Sequence, residues 1–136
     1  MTERTIVEEG RRVIALEAAA VAALEARIGA DFERACRLVA ESKGRVVTCG
    51  IGKSGHIARK LAGTLTSTGT PAIFLHPVEA LHGDLGIVGS DDVAIVISKS
   101  GASDELAGLI QHLGRLSVPI IALVGAWIMS APAGLK

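Results

Sequence analysis

Four short apolar runs rich in β-branched residues, "RVVTC", "AIFLH", "VAIVIS" and "PIIALV", lie between residues 45 and 124, and helix-like segments, "SGHIARKLAGTLTS" and "SDELAGLIQHLGRL", fall among them. Strands covered on both faces read as continuous apolar runs, and parallel neighbours must be joined by a crossover of a dozen or so residues, usually helical. The alternation therefore predicts an α/β fold with a parallel sheet and crossover helices.

Upstream the pattern is different. Residues 3–28 are rich in Ala, Glu, Leu and Arg, and Val13, Leu16, Ala20, Leu24 and Ile28 recur at near-helical spacing, which predicts one amphipathic helix with a single buried stripe. A second helix is expected to begin near Asp31 as N-cap, to carry Phe32, Cys36 and Val39 on one side, and to stop at Lys43 and Gly44. No fixed-period repeat, low-complexity tract or Pro/Gly/Ser linker divides the chain. The expectation is a single domain over 136 residues, with N-terminal helices at 1–43, an α/β core at 44–125 and a tail at 126–136.

Composition removes several function classes. Aromatic residues make up 2% with no tyrosine, and the formal net charge is 0, so neither base-stacking platforms nor an electrostatic footprint for nucleic acid is present. The apolar runs are far shorter than the ~20 residues a membrane-spanning helix needs. Cys36 and Cys49 lack metal-ligand spacing and form no disulfide framework, and no signal-peptide pattern opens the chain. A cytoplasmic protein is expected, without membrane or nucleic-acid partners and without a metal held by its cysteines.

Ligands of open parallel sheets bind beyond the carboxyl ends of the strands. Two loops there stand out. "CGIGKSG" has glycines that permit close backbone approach, followed by a helix near Ser54 whose N–H groups and dipole favour an anion. "SKSGASDE" offers the hydroxyls of Ser98, Ser100 and Ser103 around Gly101 before another helix. Together they describe a cradle for a phosphate and the hydroxyls of a small polyol. Gly50, Gly52 and Gly55 also have the G-x-G-x-x-G spacing of a dinucleotide site. Such a site wants an acidic residue at the end of the next strand, but "AIFLH" ends in His76 and Pro77, and Glu79 lies beyond it. The phosphate-loop pattern fails as well, because its first glycine would fall at Val47.

"GIGKSGHIARKLAGTLTSTGTPAIFLHPVEALHGDLGIV", continued by "DVAIVISKSGASDEL", resembles the sugar isomerase (SIS) domain of bacterial arabinose-5-phosphate isomerases, from roughly Arg11 to Gly125. The resemblance implies a flavodoxin-like, doubly wound three-layer sandwich and interconversion of ribulose 5-phosphate and arabinose 5-phosphate, which feeds synthesis of the lipopolysaccharide sugar Kdo. It also implies a homo-oligomer, typically a tetramer, without a redox cofactor. Lys53 becomes a substrate-contacting catalytic residue, Glu105 an acid/base and His82 a site histidine, while Gly52, Ser54, Gly55, Ser98, Ser100, Gly101 and Ser103 bind the substrate. Such groups suit the chemistry, since exchange through an enediol needs a base, a proton shuttle and a positive charge near the developing enediolate.

Each assignment has a plain structural rival. Lys53 could be a solvated lysine, though a cation at a helix start opposes the dipole unless an anion binds there. Ser103, Asp104 and Glu105 read equally as an N-cap followed by first-turn carboxylates. The serines could be turn residues, and His82 could bond within its own turn. His56 and His112 read as packing or surface residues, whereas His76 stays open because it ends a strand on the functional edge. After Gly125 the sequence departs from the family with "AWIMSAPAGLK", and the family's remaining catalytic glutamate and histidine, with its paired CBS domains, have no counterpart before Lys136. Lys99 stands where related sequences often have Asn. A non-catalytic sugar-phosphate-binding module and an inactive fragment are the rival readings.

Overall fold

The computed structural model describes residues 5–101 and 104–125. Its order is helix α1 (Ile6–Ala22), a 3-10 turn (Glu25–Arg27), α2 (Ala30–Glu41), strand β1 (Val46–Gly50), α3 (Lys53–Ser67), β2 (Ala72–Leu75), α4 (Pro77–Leu81), a second 3-10 turn (Asp84–Ile87), β3 (Val93–Ser98), α5 (Asp104–Arg115) and β4 (Ile120–Val124). The chain forms two compact units, residues 1–37 and 38–136.

In the first unit, α1 opens with a reciprocal capping box: the Glu8 N–H donates to Thr5 Oγ1 while the Glu8 carboxylate accepts from the Thr5 backbone. Donation to the Glu8 carboxylate from the Thr5 backbone N–H, and then from its hydroxyl, holds that carboxyl below the usual carboxylate range. The expected stripe is present in sequence, but none of α1 is buried; Leu16 is 54% exposed and Ile28, beyond the helix, 57%. The expectation of a buried stripe is therefore corrected: periodicity identifies an apolar face, and nothing within this unit covers this one. Asp31 is not the N-cap of α2 either. It lies inside the first turn, ion-paired to Arg34 at 2.9 Å, while the Gly29 carbonyl accepts from Glu33. Phe32 and Cys36 are exposed and Val39 is half-buried.

The second unit is a four-stranded, wholly parallel sheet in the order β2-β1-β3-β4. β1 is central and buried along its whole length. Because side chains alternate across a strand, Val47 and Cys49 face one side with Ala94 and Val96. There they pack with Ala80, Leu85, Val88, Leu106, Leu109 and Leu113 from α4, the second 3-10 turn and α5. On the other side the buried Thr48 hydroxyl donates to the Ala58 carbonyl of α3 at 2.8 Å, fastening strand to helix. The helices lie on both faces, as a doubly wound three-layer fold requires.

A buried aspartate closes the amino end of the sheet. Asp92 Oδ1 accepts from the Arg45 N–H at 2.6 Å and Oδ2 from the Gly89 N–H at 2.9 Å, with the Arg45 guanidinium at 3.7 Å. That guanidinium also donates to the Ile87 carbonyl.

Both cysteines are free thiols, Cys36 exposed and Cys49 buried. Burial pushes the Cys49 thiol up to about 12 from an ordinary 9.0. Three units leave about a thousandfold less thiolate, so at pH 8 iodoacetamide should label Cys36 rapidly and Cys49 only on unfolding. Mass spectrometry of the alkylated native chain reads the site; equal labelling would contradict the packing of β1. Because folding raises the Cys49 value, this thiol's contribution to stability is intact below pH 9 and is lost as pH rises towards 12.

Candidate functional site

The strand order sets where a ligand can sit. From β1 the chain winds outward to β2, then returns past β1 to β3 and on to β4, so the topological switch point lies between β1 and β3. Pairing of Gly50 with Ile97 sets the loop after β1 beside the loop after β3, on strands roughly 4.8 Å apart. The two loops singled out in the sequence, 49–55 and 98–105, thus start side by side, the second described as far as Gly101 and again from Asp104.

The three glycines of the first loop do different work. A side chain on Gly50 would meet the Ser54 carbonyl at 2.8 Å, and one on Gly55 would meet the Gly50 carbonyl oxygen at 2.7 Å. These two let the first turn of α3 lie directly against the end of β1. Gly52, with open space around it, is required for its backbone instead: φ is 58° and ψ −127°, which side chains disfavour. It sits at the N-cap of α3, which has no side-chain cap. The Gly55 N–H donates to the Ile51 carbonyl at 3.3 Å and the His56 N–H to the Gly52 carbonyl at 3.1 Å, which leaves the N–H groups of Lys53 and Ser54 without partners within the helix. Lys53 is the first helical residue and exposed; among the described residues no carboxylate pairs with it. Ser54 follows, half-buried.

In the second loop, Ser98 Oγ accepts from the Gly101 N–H at 3.0 Å, and Gly101 takes φ 71°. The Ser98 hydroxyl thus has a turn role, yet its own proton remains available to donate. Lys99 and Ser100 are exposed. The Gly125 N–H donates to the Ser98 carbonyl at 3.2 Å, and a side chain at Gly125 would meet the Lys99 carbonyl oxygen at 2.9 Å, so the end of β4 braces this loop. Sequence reading did not single out Gly125, and a lone glycine after an apolar run carries no signal that could have done so. Ser103 lies outside the described residues. Glu105 belongs to the first turn of α5, and its side chain also lies outside them.

His82 lies in the turn between α4 and the second 3-10 turn, the loop position expected for it. It follows α4 as its C-cap, exposed, with its N–H bonded to the Glu79 carbonyl, and among the described residues no hydrogen bond or ion pair ties its ring to either loop. The crossover from β2 to β3 is this five-residue helix and a 3-10 turn, with Gly83 at φ 132° between them. His56 is exposed on α3 and His112 half-buried on α5. Among the described residues, no group of three or more His, Cys, Asp or Glu could hold a metal ion, and no helix is long and apolar enough to cross a membrane.

A parallel sheet with order 2-1-3-4 and glycine and serine loops on both sides of its switch point defines a doubly wound α/β protein of the flavodoxin-like type. The sequence pattern of the SIS domain matches residues 38–132, and the chain belongs to the SIS domain family. It is 48% identical over 119 residues to the arabinose 5-phosphate isomerase KdsD of Pseudomonas aeruginosa, covering 88% of this chain and 36% of that protein. With the arabinose 5-phosphate isomerase GutQ of Escherichia coli K12 it shares 46% over 130 residues, 96% of this chain and 40% of the relative. The chain thus spans a little over a third of the length of these curated relatives. Among solved structures, a Bacteroides fragilis protein described as a phosphosugar isomerase involved in capsule formation superposes with a TM-score of 0.81 at 38% identity, over 90% of this chain and 66% of that one. An E. coli CFT073 protein in complex with arabinose 5-phosphate superposes with a TM-score of 0.73 at 36% identity, over 89% and 66%.

Proposed function

We propose that this chain is the sugar-phosphate isomerase domain of an enzyme interconverting ribulose 5-phosphate and arabinose 5-phosphate, the step that feeds synthesis of the lipopolysaccharide sugar Kdo. The observation that carries the proposal is the pair of loops at the switch point, one of them opening a helix that has no side-chain cap and begins with a lysine. A cation there opposes the helix dipole by about 0.3–1 kcal/mol, a cost that a bound phosphate or enediolate reverses. The relatives named as arabinose 5-phosphate isomerases, and the related protein crystallised with arabinose 5-phosphate, support the same substrate class.

In this reading the N–H groups at the start of α3, with Ser54, Ser98, Ser100, Gly101 and Ser103, hold the phosphate and sugar hydroxyls. Glu105 takes the proton from C2 of the aldose and returns it to C1, passing through the enediol. Lys53 stabilises negative charge on the enediolate oxygen, and His82 shuttles protons to the sugar oxygens. A cytoplasmic setting follows from a phosphorylated substrate.

Self-association belongs to the same proposal. Ile14 is 68% exposed and Val21 67%, on a helix with no buried residue, and such a face is suited to packing between subunits. Light scattering at micromolar concentration should show a dimer or larger; a clean monomer would remove this part.

The functional test is conversion of ribulose 5-phosphate to arabinose 5-phosphate, assayed on the chain and on a chimaera that continues it with the remainder of the Pseudomonas aeruginosa relative. Conversion by the chimaera is expected. A folded chimaera with no conversion would overturn the assignment.

A further inference from the structure

Among the described residues, one buried polar side-chain atom has no hydrogen-bond partner. His76 Nδ1 is shielded from solvent and makes no hydrogen bond. Leaving a buried polar atom unpaired is destabilising, so such an atom calls for a reason. Its position supplies one. His76 directly follows β2, at the carboxyl edge of the sheet where ligands of this architecture bind.

The ring is half-buried beside an aromatic neighbour. It lies edge-on to Phe74 with centroids 6.3 Å apart and planes at 68°. Phe74 is in turn covered by the Arg59 guanidinium, 4.1 Å above its ring, and its tip lies 3.7 Å from where a Gly55 side chain would begin. His76, Phe74 and the first turns of α3 thus form one packed unit. Since β2 neighbours β1 on the side away from β3, His76 stands across the first loop from Ser98 and Gly101.

We propose that His76 is a further binding residue of the phosphosugar site, whose Nδ1, closed to solvent in the unliganded protein, is brought out by a turn of the ring when the sugar phosphate binds and exchanges a hydrogen bond with one of its hydroxyls. This rests on the functional reading above. The ligand's charge is met by the helix ends and by Lys53, which leaves uncharged hydroxyls for a neutral imidazole nitrogen further along the edge.

The test compares wild type with His76→Phe, which keeps an aromatic ring against Phe74 but no polar atom, and His76→Asn, whose amide reaches the position of Nδ1. Each is measured for melting temperature without ligand and for affinity towards arabinose 5-phosphate and inorganic phosphate by calorimetry. The expected result for His76→Phe is an unchanged or raised melting temperature, because removing an unpaired buried group is neutral or stabilising, with binding of the sugar phosphate about five- to tenfold weaker and phosphate binding unaltered. His76→Asn should regain most of the affinity. Full affinity in His76→Phe with a lowered melting temperature would overturn the proposal, since Nδ1 would then serve folding through an ordered water. Equal weakening towards inorganic phosphate would also overturn it by placing the contact on the anion. If wild type itself does not bind the sugar phosphate, the functional reading fails and this inference with it, and the wild-type arm shows which has failed.

Discussion

Lys53→Ala should lower the isomerisation rate of the chimaera by about 10²- to 10⁴-fold, roughly 3–5 kcal/mol of barrier, with little change in melting temperature. The lysine is exposed at the first position of α3, with no described ion pair to lose, so its removal costs the fold almost nothing. Taking a cation from that position slightly favours the helix. The same separation of effects is expected for Glu105→Gln. The double variant should lose less than the product of the two, because both act along one proton path. Steady-state kinetics beside thermal unfolding reads the prediction. Unchanged rates in both single variants would sink the roles given to Lys53 and Glu105.

Asp92→Ala should have the converse effect, lowering stability by about 2–4 kcal/mol, because it strands the backbone N–H groups of Arg45 and Gly89 together with the Arg45 guanidinium. Part of that loss is recovered by water, since Arg45 and Gly89 are not fully buried. Asp92→Asn keeps an acceptor and should cost less. Urea unfolding measures both, and equal stability of all three forms would mean that the cluster does not hold the amino end of the sheet. Ligand affinity should be unaffected, as Asp92 precedes β3 at the end of the sheet away from the switch point.

Much of this architecture is legible in residue patterns, for definable reasons. "VAIVIS" coincides with β3 and the other three runs with their strands to within a residue, because strands covered on both faces need uninterrupted apolar stretches. α4 escaped notice since five residues are too few to display a helical period. The stripe of α1 was legible as apolar, but burial depends on what covers a face, which periodicity does not encode. At the site, glycine spacing located the loop without revealing that Gly50 and Gly55 serve close packing and Gly52 a backbone conformation. The order β2-β1-β3-β4 sets the two loops side by side, and that follows from pairing between distant segments. The exposed end of α4 at His82 and the unpaired nitrogen of His76 likewise depend on three-dimensional placement.

The central claim is that the switch point takes a phosphorylated sugar, and calorimetric titration of the chain with arabinose 5-phosphate, arabinose and NAD tests it most directly. Saturable binding of the phosphorylated sugar alone is expected, weakened in Lys53→Ala and by added inorganic phosphate. At a hundredfold excess over Kd it should stabilise the fold by about 2.7 kcal/mol. Equal binding of arabinose with and without its phosphate, or preference for NAD, would contradict the account.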